Sequence, residues 1–385
     1  MSTTIAREAP ADASGVARAL ADAARDRRTV RVTGAGTKRY LGELRPTELE
    51  LTTANLAGVI DHVPADLTVT VAGGTRFADV SAGLARAGQF LPVDPPHADA
   101  ATIGGIVAAN SNGFWRARYG AMRDLLIGTR TALADGTIVR GGGRVVKNVA
   151  GYDLNKLLVG SYGTLGVIVE ATFKVLPLPA ASGELAGRFV RSGDAFAAAT
   201  AIARGAARPA AIVVEQGADG WTLHVEARGD RTVVGRTLAD AEGAVAARGG
   251  RVEHLDGALA ALRELPARAT EGALIRVALP LAAQGPFAET AARVETFEAL
   301  VADVASGIVR AHLIGPDDAV VRDADGLVLA ARAVGGSGRV ERRGATLASR
   351  LSAWPNEPKG HFLMKRIKDA FDPACVLEPG RSAVG

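Results

Sequence analysis

The sequence predicts an α+β protein in three stretches, and three observations carry that prediction. From the N-terminus to about Pro179, short runs of Val, Ile, Leu and Thr alternate with helical patterns and break at glycine turns. From Ala180 to about Gly338 the predicted order is β-α-β-β-α-β, followed by a looser echo of the same order. From Arg339 a helix gives way to a tail punctuated by Asp372-Pro373 and Glu378-Pro379-Gly380-Arg381. The domains expected from this are 1–179, 180–338 and 339–385, the last packing back onto the first.

Each element has a local reason. Ser14 stands where an N-cap belongs, ahead of Val16, Leu20, Ala23 and Ala24 at helical spacing. A strand over 29–32 stops at Gly34-Ala35-Gly36-Thr37, and another over 67–72 stops at Gly73-Gly74. A helix over 78–87 is closed by Gly88. Strands over 125–132 and 166–175 follow, the first turning at Asp135-Gly136. Pro177 and Pro179 mark the first boundary. Beyond it come a strand over 184–190, a helix over 193–206, strands over 211–216 and 222–227, a helix over 232–247 and a strand over 251–254. That order is the one found in ferredoxin-like domains. The echo reads as a strand over 274–278, a helix over 286–304 and strands over 307–314 and 326–334. A two-layer domain with one open sheet face fits this rhythm, and no long internal repeat is evident.

Composition narrows the function. With 385 residues the chain is long enough for two or three cored domains. Aromatics are only 4% and alanine is prominent in the 48% hydrophobic fraction, which favours helix-rich packing with small side chains. The 45 basic and 41 acidic residues are dispersed, and no basic run is interleaved with aromatics, so nothing argues for nucleic acid. Cys375 is the single cysteine, which excludes an internal disulfide or a cysteine-held cluster and fits a reducing, cytoplasmic setting. The start, MSTTIAREAPADASG, lacks the apolar core of a secretory signal. No uncharged apolar run approaches the ~18 residues that cross a bilayer. A soluble protein is expected.

Three loops carry the chemistry. Gly34-Ala35-Gly36-Thr37-Lys38 follows a strand, and its glycines let backbone N–H groups converge on an anionic diphosphate. It is neither a dinucleotide fingerprint, since Arg39 replaces the third glycine, nor a Walker loop. Thr102-Ile103-Gly104-Gly105 forms a second cradle, with the Thr102 hydroxyl available to a phosphate oxygen, and Asn110-Ser111-Asn112-Gly113 supplies small polar groups for the edge of a flat ligand. Gly160-Ser161-Tyr162-Gly163-Thr164-Leu165-Gly166 then leads into a buried strand at Val167. Each loop alone is an ordinary turn, but the three in this order point to a nucleotide cofactor.

Together these segments resemble the FAD-binding domain of the vanillyl-alcohol-oxidase-like flavoproteins, the PCMH-type family, whose FAD domain comprises two α+β subdomains. Within it, GTK, DPPHADAATIGG, YGAMRDLLIG, KNVAGYDLNKLLVGSYGTLGVI and the tail FDPACVLEPGR most resemble the FAD-binding E subunit of bacterial glycolate oxidases. The resemblance covers about 29–179 and 371–381; the middle stretch matches only in length and element order. It implies that Gly34, Gly36 and Thr37, with Ala35 and Lys38 in the same loop, hold the FAD diphosphate. It places Pro92, Asp94 and Pro95 near the flavin, and Thr102, Gly104 and Gly105, with Ile103 between them, on the phosphate and ribityl portion. Asn110, Ser111 and Gly113 would lie near the ring system, and Gly160, Ser161, Gly163, Thr164, Gly166 and Val167 around the nucleotide. Residues 180–338 would be the cap domain over the flavin's exposed face, and the tail would return to the FAD domain.

The departures shape the functional expectation. No histidine or cysteine lies between Thr33 and Lys38, so noncovalent FAD is expected; His97 reads as a polar loop residue. Related hydroxy-acid dehydrogenases carry a histidine-rich metal motif in the cap domain. Here His62, His97, His224, His254, His312 and His361 form no close pair at ligand spacing, so no metal is expected and no catalytic base is identified. The family's usual Asn before Pro-Gly-Arg is Glu378. The leading expectation is an FAD-carrying subunit of a multi-subunit glycolate oxidase or dehydrogenase, serving electron transfer or assembly. Its partners would be a related catalytic flavin subunit and an iron–sulfur subunit. Those partners could hold it peripherally at the inner face of the plasma membrane. Two readings stay open beside it: a stand-alone FAD-dependent 2-hydroxy-acid dehydrogenase, and a scaffold subunit whose FAD is structural.

Overall fold

The computed structural model describes residues 5–143, 153–217, 220–255 and 257–384. The expected motif at 147–152 therefore lies outside the described residues. The chain divides into two compact units: 1–112, 120–178 and 357–385 form the first, and 113–119 with 179–356 form the second.

Unit 1 begins with β1 (Ala6–Glu8), α1 (Ala13–Arg25), β2 (Val30–Thr33) and β3 (Leu49–Thr52). The three strands make a small parallel sheet in the order β1-β3-β2. Asp12, not Ser14, caps α1: its carboxylate accepts from the Gly15 N–H at 2.7 Å, and the Ser14 hydroxyl donates to the same carboxylate. A carboxylate two residues earlier is the better acceptor at the positive helix end. Next come β4 (Val59–Val63), β5 (Thr68–Ala72), α2 (Phe77–Arg86), β6 (Gln89–Phe90) and α3 (Ile103–Ala109). After the short α4 (Arg116–Tyr119), which belongs to unit 2, unit 1 resumes with α5 (Met122–Leu125), β7 (Leu126–Ala132), β8 (Ile138–Gly142), α6 (Asn155–Leu158), β9 (Val167–Lys174) and β10 (Leu176–Pro177). A five-stranded antiparallel sheet runs β4-β5-β9-β7-β8. Strand β9 is apolar on both faces only at its start, where two cores meet it. Val167 and Val169 pack with α1 and the small sheet, while Ile168 packs with α2 and α3, as do Ala171 and Phe173 further along, with Glu170, Thr172 and Lys174 alternating.

The C-terminal helix and tail belong to this unit. Lys368 and Asp372 at the end of that helix are 4% and 0% exposed. Lys368 Nζ donates to the Asp372 carboxylate and to the carbonyls of Thr164 and Leu377, both at 3.0 Å. Asp372 in turn accepts from the N–H groups of Val376 and Leu377. The tail is thereby turned to run beside β2, where Val30 N–H donates to the Val376 carbonyl and Glu378 N–H to the Val30 carbonyl.

Unit 2 is one eight-stranded antiparallel sheet. Its first half is β11 (Ala181–Phe189), α7 (Ser192–Arg204), β12 (Ala211–Gly217), β13 (Gly220–Gly229), α8 (Arg231–Ala246) and β14 (Arg251–Leu255). After α9 (Ala258–Arg263) and α10 (Leu265–Arg268), the second half is β15 (Ala273–Ala278), α11 (Gln284–Ala291), β16 (Phe297–Asp303), β17 (Ile308–Leu313), α12 (Asp317–Ala333) and β18 (Ser337–Arg343). The spatial order β14-β11-β13-β12-β16-β17-β15-β18 is a mirrored pair of β-α-β-β-α-β halves, joined where Val213 to Gln216 pair antiparallel with Asp303 to Leu300.

This corrects three sequence expectations. The helix expected over 286–304 ends at Ala291, and its second part is β16, because pairing with β12 and β17 outweighs an ambiguous apolar pattern. The strand expected over 326–334 is the end of α12, whose buried Ala319, Val320, Ala324, Leu327, Val328 and Ala331 recur at helical spacing. The break expected between 338 and 339 falls inside β18, and the unit continues to Asn356. The duplication hidden from the sequence is thus complete, strand for strand.

The helices cover one sheet face. The other carries Ala211, Val213, Leu274 and Val301 under Phe114, Leu259 and Leu265, so it is only partly open. Phe114 comes from the excursion at 113–119. There the Trp115 indole N–H donates to Glu226 at 2.7 Å, and the Arg228 guanidinium stacks 4.2 Å from the Trp115 ring.

Candidate cofactor site

A groove of unit 1 lies between the end of β2, the start of α3 and the start of β9. Its floor is the first loop. Gly36 there takes φ +72°, a left-handed conformation suited to glycine. Arg39 N–H folds back onto the Gly36 carbonyl and Leu41 N–H onto that of Lys38. Among the described residues, no protein acceptor meets the N–H groups of Ala35, Gly36 and Thr37. Three successive free donors in one turn form a concavity for an anion. A cation stands behind it: the Arg381 guanidinium donates to the carbonyls of Arg39 (2.9 Å) and Lys38 (3.3 Å). Lys38 does not turn to the groove with its ammonium; Nζ donates to the Pro96 carbonyl at 2.7 Å. That bond ties the first loop to the buried turn holding Pro92, Asp94 and Pro95, which do not line the groove.

The second loop packs against the first without room to spare. A Cβ on Gly34 would stand 2.1 Å from Thr102 Oγ1. Ile103 N–H and Gly104 N–H are taken by the carbonyls of Thr75 and Gly73, and a Cβ on Gly104 would stand 2.9 Å from the Gly73 oxygen. Gly104 lines the groove, yet its bareness lets α3 meet the backbone beyond β5, so its N–H is not available to a phosphate. Thr102 and Gly105 line the groove as well, whereas Ile103 is a core residue. Asn110 ends α3 at φ +46°, Ser111 N–H closes onto the Ile106 carbonyl, and Gly113 falls in unit 2.

The third loop is built onto the end of α3. Gly160 N–H donates to the Val107 carbonyl and Tyr162 N–H to that of Ala108. Gly163, Gly166 and Val167 line the groove; Gly160, Ser161 and Thr164 brace it from behind, with Thr164 Oγ1 donating to the Ser161 carbonyl.

Sequence reasoning missed Arg31, Arg39, Tyr162, Glu378 and Arg381 as groove residues. The tail motif was legible, but its path beside β2 was not. Glu378 is 3% exposed at φ +46°; its carboxylate accepts from the Val32 N–H at 2.8 Å and lies 3.5 Å from Arg381 Nε. Burial pushes this carboxyl above the usual range, against the pull of Arg381, the Val32 N–H, Arg31 and Arg39. Burial likewise pushes Arg381 down, against the pull of Glu378.

Elsewhere, His224 is buried on the partly open face of unit 2, with Nε2 at 2.8 Å from Glu215 and Nδ1 at 3.6 Å from Glu184. Burial opposes its charge, but the two carboxylates outweigh burial and raise its pKa. Among the described residues no three His, Cys, Asp or Glu side chains gather as a metal site, and no helix is long and apolar enough to cross a membrane.

Residues 6–142 match the FAD binding domain family. The Escherichia coli glycolate oxidase subunit GlcE is 43% identical over 159 residues, 41% of this chain and 45% of that one. The Bacillus subtilis glycolate oxidase subunit GlcD is 38% identical over 173 residues, 44% of this chain and 37% of that one. The Archaeoglobus fulgidus D-lactate dehydrogenase is 38% identical over 144 residues, 37% of this chain and 32% of that one. The matched stretch therefore spans less than half of each of these curated relatives. Among solved structures, an alkyldihydroxyacetonephosphate synthase superposes with a TM-score of 0.74 at 16% identity, covering 97% of this chain and 75% of that one. Substrate-bound p-cresol methylhydroxylase superposes with a TM-score of 0.74 at 14% identity, covering 98% and 88%. The chain thus carries an FAD binding domain over residues 6–142, and as a whole it takes the PCMH-type fold of p-cresol methylhydroxylase.

Proposed function

We propose that the groove of unit 1 holds FAD noncovalently, and that the chain is the FAD-carrying subunit of a multi-subunit enzyme oxidising glycolate to glyoxylate. One observation carries the reading. A turn with three free N–H groups, backed by Arg381, sits inside a domain that matches the FAD binding family. In this assignment Ala35, Gly36 and Thr37 hold the diphosphate through their backbone. Thr102 and Gly105 meet the adjoining phosphate and ribityl portion, and Gly163, Gly166 and Val167 enclose the nucleotide. Pro92, Asp94, Pro95, Asn110 and Ser111 shape the flavin end through the loops they brace. The absence of His and Cys between Thr33 and Lys38 supports noncovalent binding. Bound FAD supplies the two-electron acceptor that an alcohol oxidation needs.

Similarity to GlcE and GlcD supports a subunit role, with a related flavin subunit and an iron–sulfur subunit as partners and electron transfer or assembly as this chain's task. The D-lactate dehydrogenase relative favours a second reading, a self-sufficient hydroxy-acid dehydrogenase. The visible spectrum of the purified chain, before and after anaerobic glycolate, separates them. Bleaching makes this chain the catalyst; an unchanged flavin spectrum, with partner chains co-purifying, supports the subunit role. A chain that takes up no FAD, alone or with partners, overturns both.

A further inference from the structure

Glu378 is out of place in a site for a diphosphate. The groove offers three free backbone donors and is lined by the cationic Arg31, Arg39 and Arg381. Into this anion-seeking surface the tail inserts one carboxylate, held at a left-handed φ of +46° and 3% exposed. A buried carboxylate beside an incoming dianion faces like-charge repulsion without water to screen it. Three arrangements could relieve it: full pairing with a cation, withdrawal from the groove, or a proton.

Pairing is incomplete. The facing groups are Arg381 from the tail, Arg31 from β2, Arg39 from the first loop and Tyr162 from the third. Arg381 reaches Glu378 only at 3.5 Å and spends two donors on the carbonyls of Lys38 and Arg39. Arg39 is engaged by Glu50, and Arg31 donates to the Arg45 carbonyl. Withdrawal is blocked. One carboxylate oxygen accepts from the Val32 N–H, the backbone N–H is bonded to the Val30 carbonyl, and the Cγ lies against Gly163. A protonated carboxyl keeps the Val32 bond through one oxygen and gains a donor at the other.

We propose that Glu378 is a cofactor-binding residue that works as a neutral carboxylic acid, taking up a proton as FAD enters and presenting an O–H donor to the ligand. The inference rests on the placement of FAD in this groove. One proton is bound per FAD bound, and it stays on the carboxyl; no bond to the cofactor forms. The raised position of the free carboxyl agrees in direction, and a bound dianion raises it further.

The test is FAD binding to the full chain, by flavin fluorescence and by titration calorimetry in two buffers of different ionisation enthalpy, between about pH 5.5 and pH 8. Affinity is expected to fall with rising pH, by up to about tenfold per unit in the steepest range, with up to one proton taken up per FAD. Glu378→Gln keeps the donor and removes the titration, so its affinity should be flat across the range with no proton uptake. FAD binding with flat affinity and no proton uptake in the unaltered chain overturns this inference and leaves the placement of FAD standing. Absence of FAD binding at every pH overturns both. The proton count on the unaltered chain decides the matter even if the variant fails to fold.

Discussion

Lys368 is the place to test whether the tail shapes the groove. Its ammonium is buried and makes its bonds inside the protein: to the Asp372 carboxylate, to the Thr164 carbonyl of the third loop and to the Leu377 carbonyl of the tail. Lys368→Met keeps the stem and removes the charge. Removing one member of a buried pair costs about 3–5 kcal/mol, because the other is left charged without its partner. Asp372 would retain the Val376 and Leu377 N–H groups, which places the expected loss near the lower end, about 3 kcal/mol. For a body of this size that lowers the melting temperature by roughly 6–12 °C. Scanning calorimetry of the flavin-free chain reads the stability, and retention of FAD through gel filtration reads the groove. Both should fall, since the bonds that go also hold the segment bearing Glu378 and Arg381. Adding Asp372→Asn should recover part of the stability by removing the stranded charge. A melting temperature within about 2 °C of the unaltered chain would refute the energetic argument. A variant that melts early but keeps its full FAD would show that the tail does not position the site.

Four further outcomes follow from the geometry. Glu341, flanked by Arg310 at 2.6 Å and Arg339 at 3.7 Å, is held down to about 2, so it stabilises unit 2 above the ordinary carboxylate pKa. That contribution, roughly 3 kcal/mol, should be lost as pH falls from about 4.5 towards 2, and Glu341→Gln should abolish this dependence in acid unfolding curves. His224 has its pKa raised, so its contribution is complete below about pH 6.5 and should fade as pH rises through the folded value; His224→Gln should flatten that limb. Gly34→Ala, with its Cβ 2.1 Å from Thr102 Oγ1, should cost about 1–3 kcal/mol and FAD affinity together, and Thr102→Gly in the same chain should restore much of the stability but not the affinity that Thr102 itself supplies. Gly104→Val should lower the melting temperature as well as FAD content, since the added Cβ meets the Gly73 carbonyl before any ligand.

The loops of the groove were legible because each is a local device. A glycine turn after a strand declares itself in four or five residues, and the elements around Gly34, Thr102 and Gly163 follow from neighbours in sequence. What stayed hidden depends on partners far away. Lys38 reads as a phosphate ligand until Pro96 takes its ammonium, and Gly104 reads as a cradle until the Gly73 carbonyl takes its N–H. The run at 297–303 has no decisive period of its own, and β12 and β17 decide it. Glu378 looked like a blemish in a tail motif; only the bridge between Val30 and Leu377 carries it into the groove.

The same reasoning explains why the duplication of unit 2 left so little trace in sequence. What the two halves share is register, not chemistry. Val213 pairs with His224 in the first half and Val301 pairs with Arg310 in the second, and both valines lie in the same small apolar cluster. His224 and Arg310 thus occupy corresponding places, each next to the central strand pair and each bonded to a glutamate. Strand pairing demands only alternation and apolar contact on the covered face, so the residue on the other face is free to change from a cation that titrates to one that does not. The consequence is that the two corresponding positions titrate in opposite senses: Glu341, held down beside Arg310, stabilises the second half above its low folded pKa, and His224 stabilises the first half below its raised one.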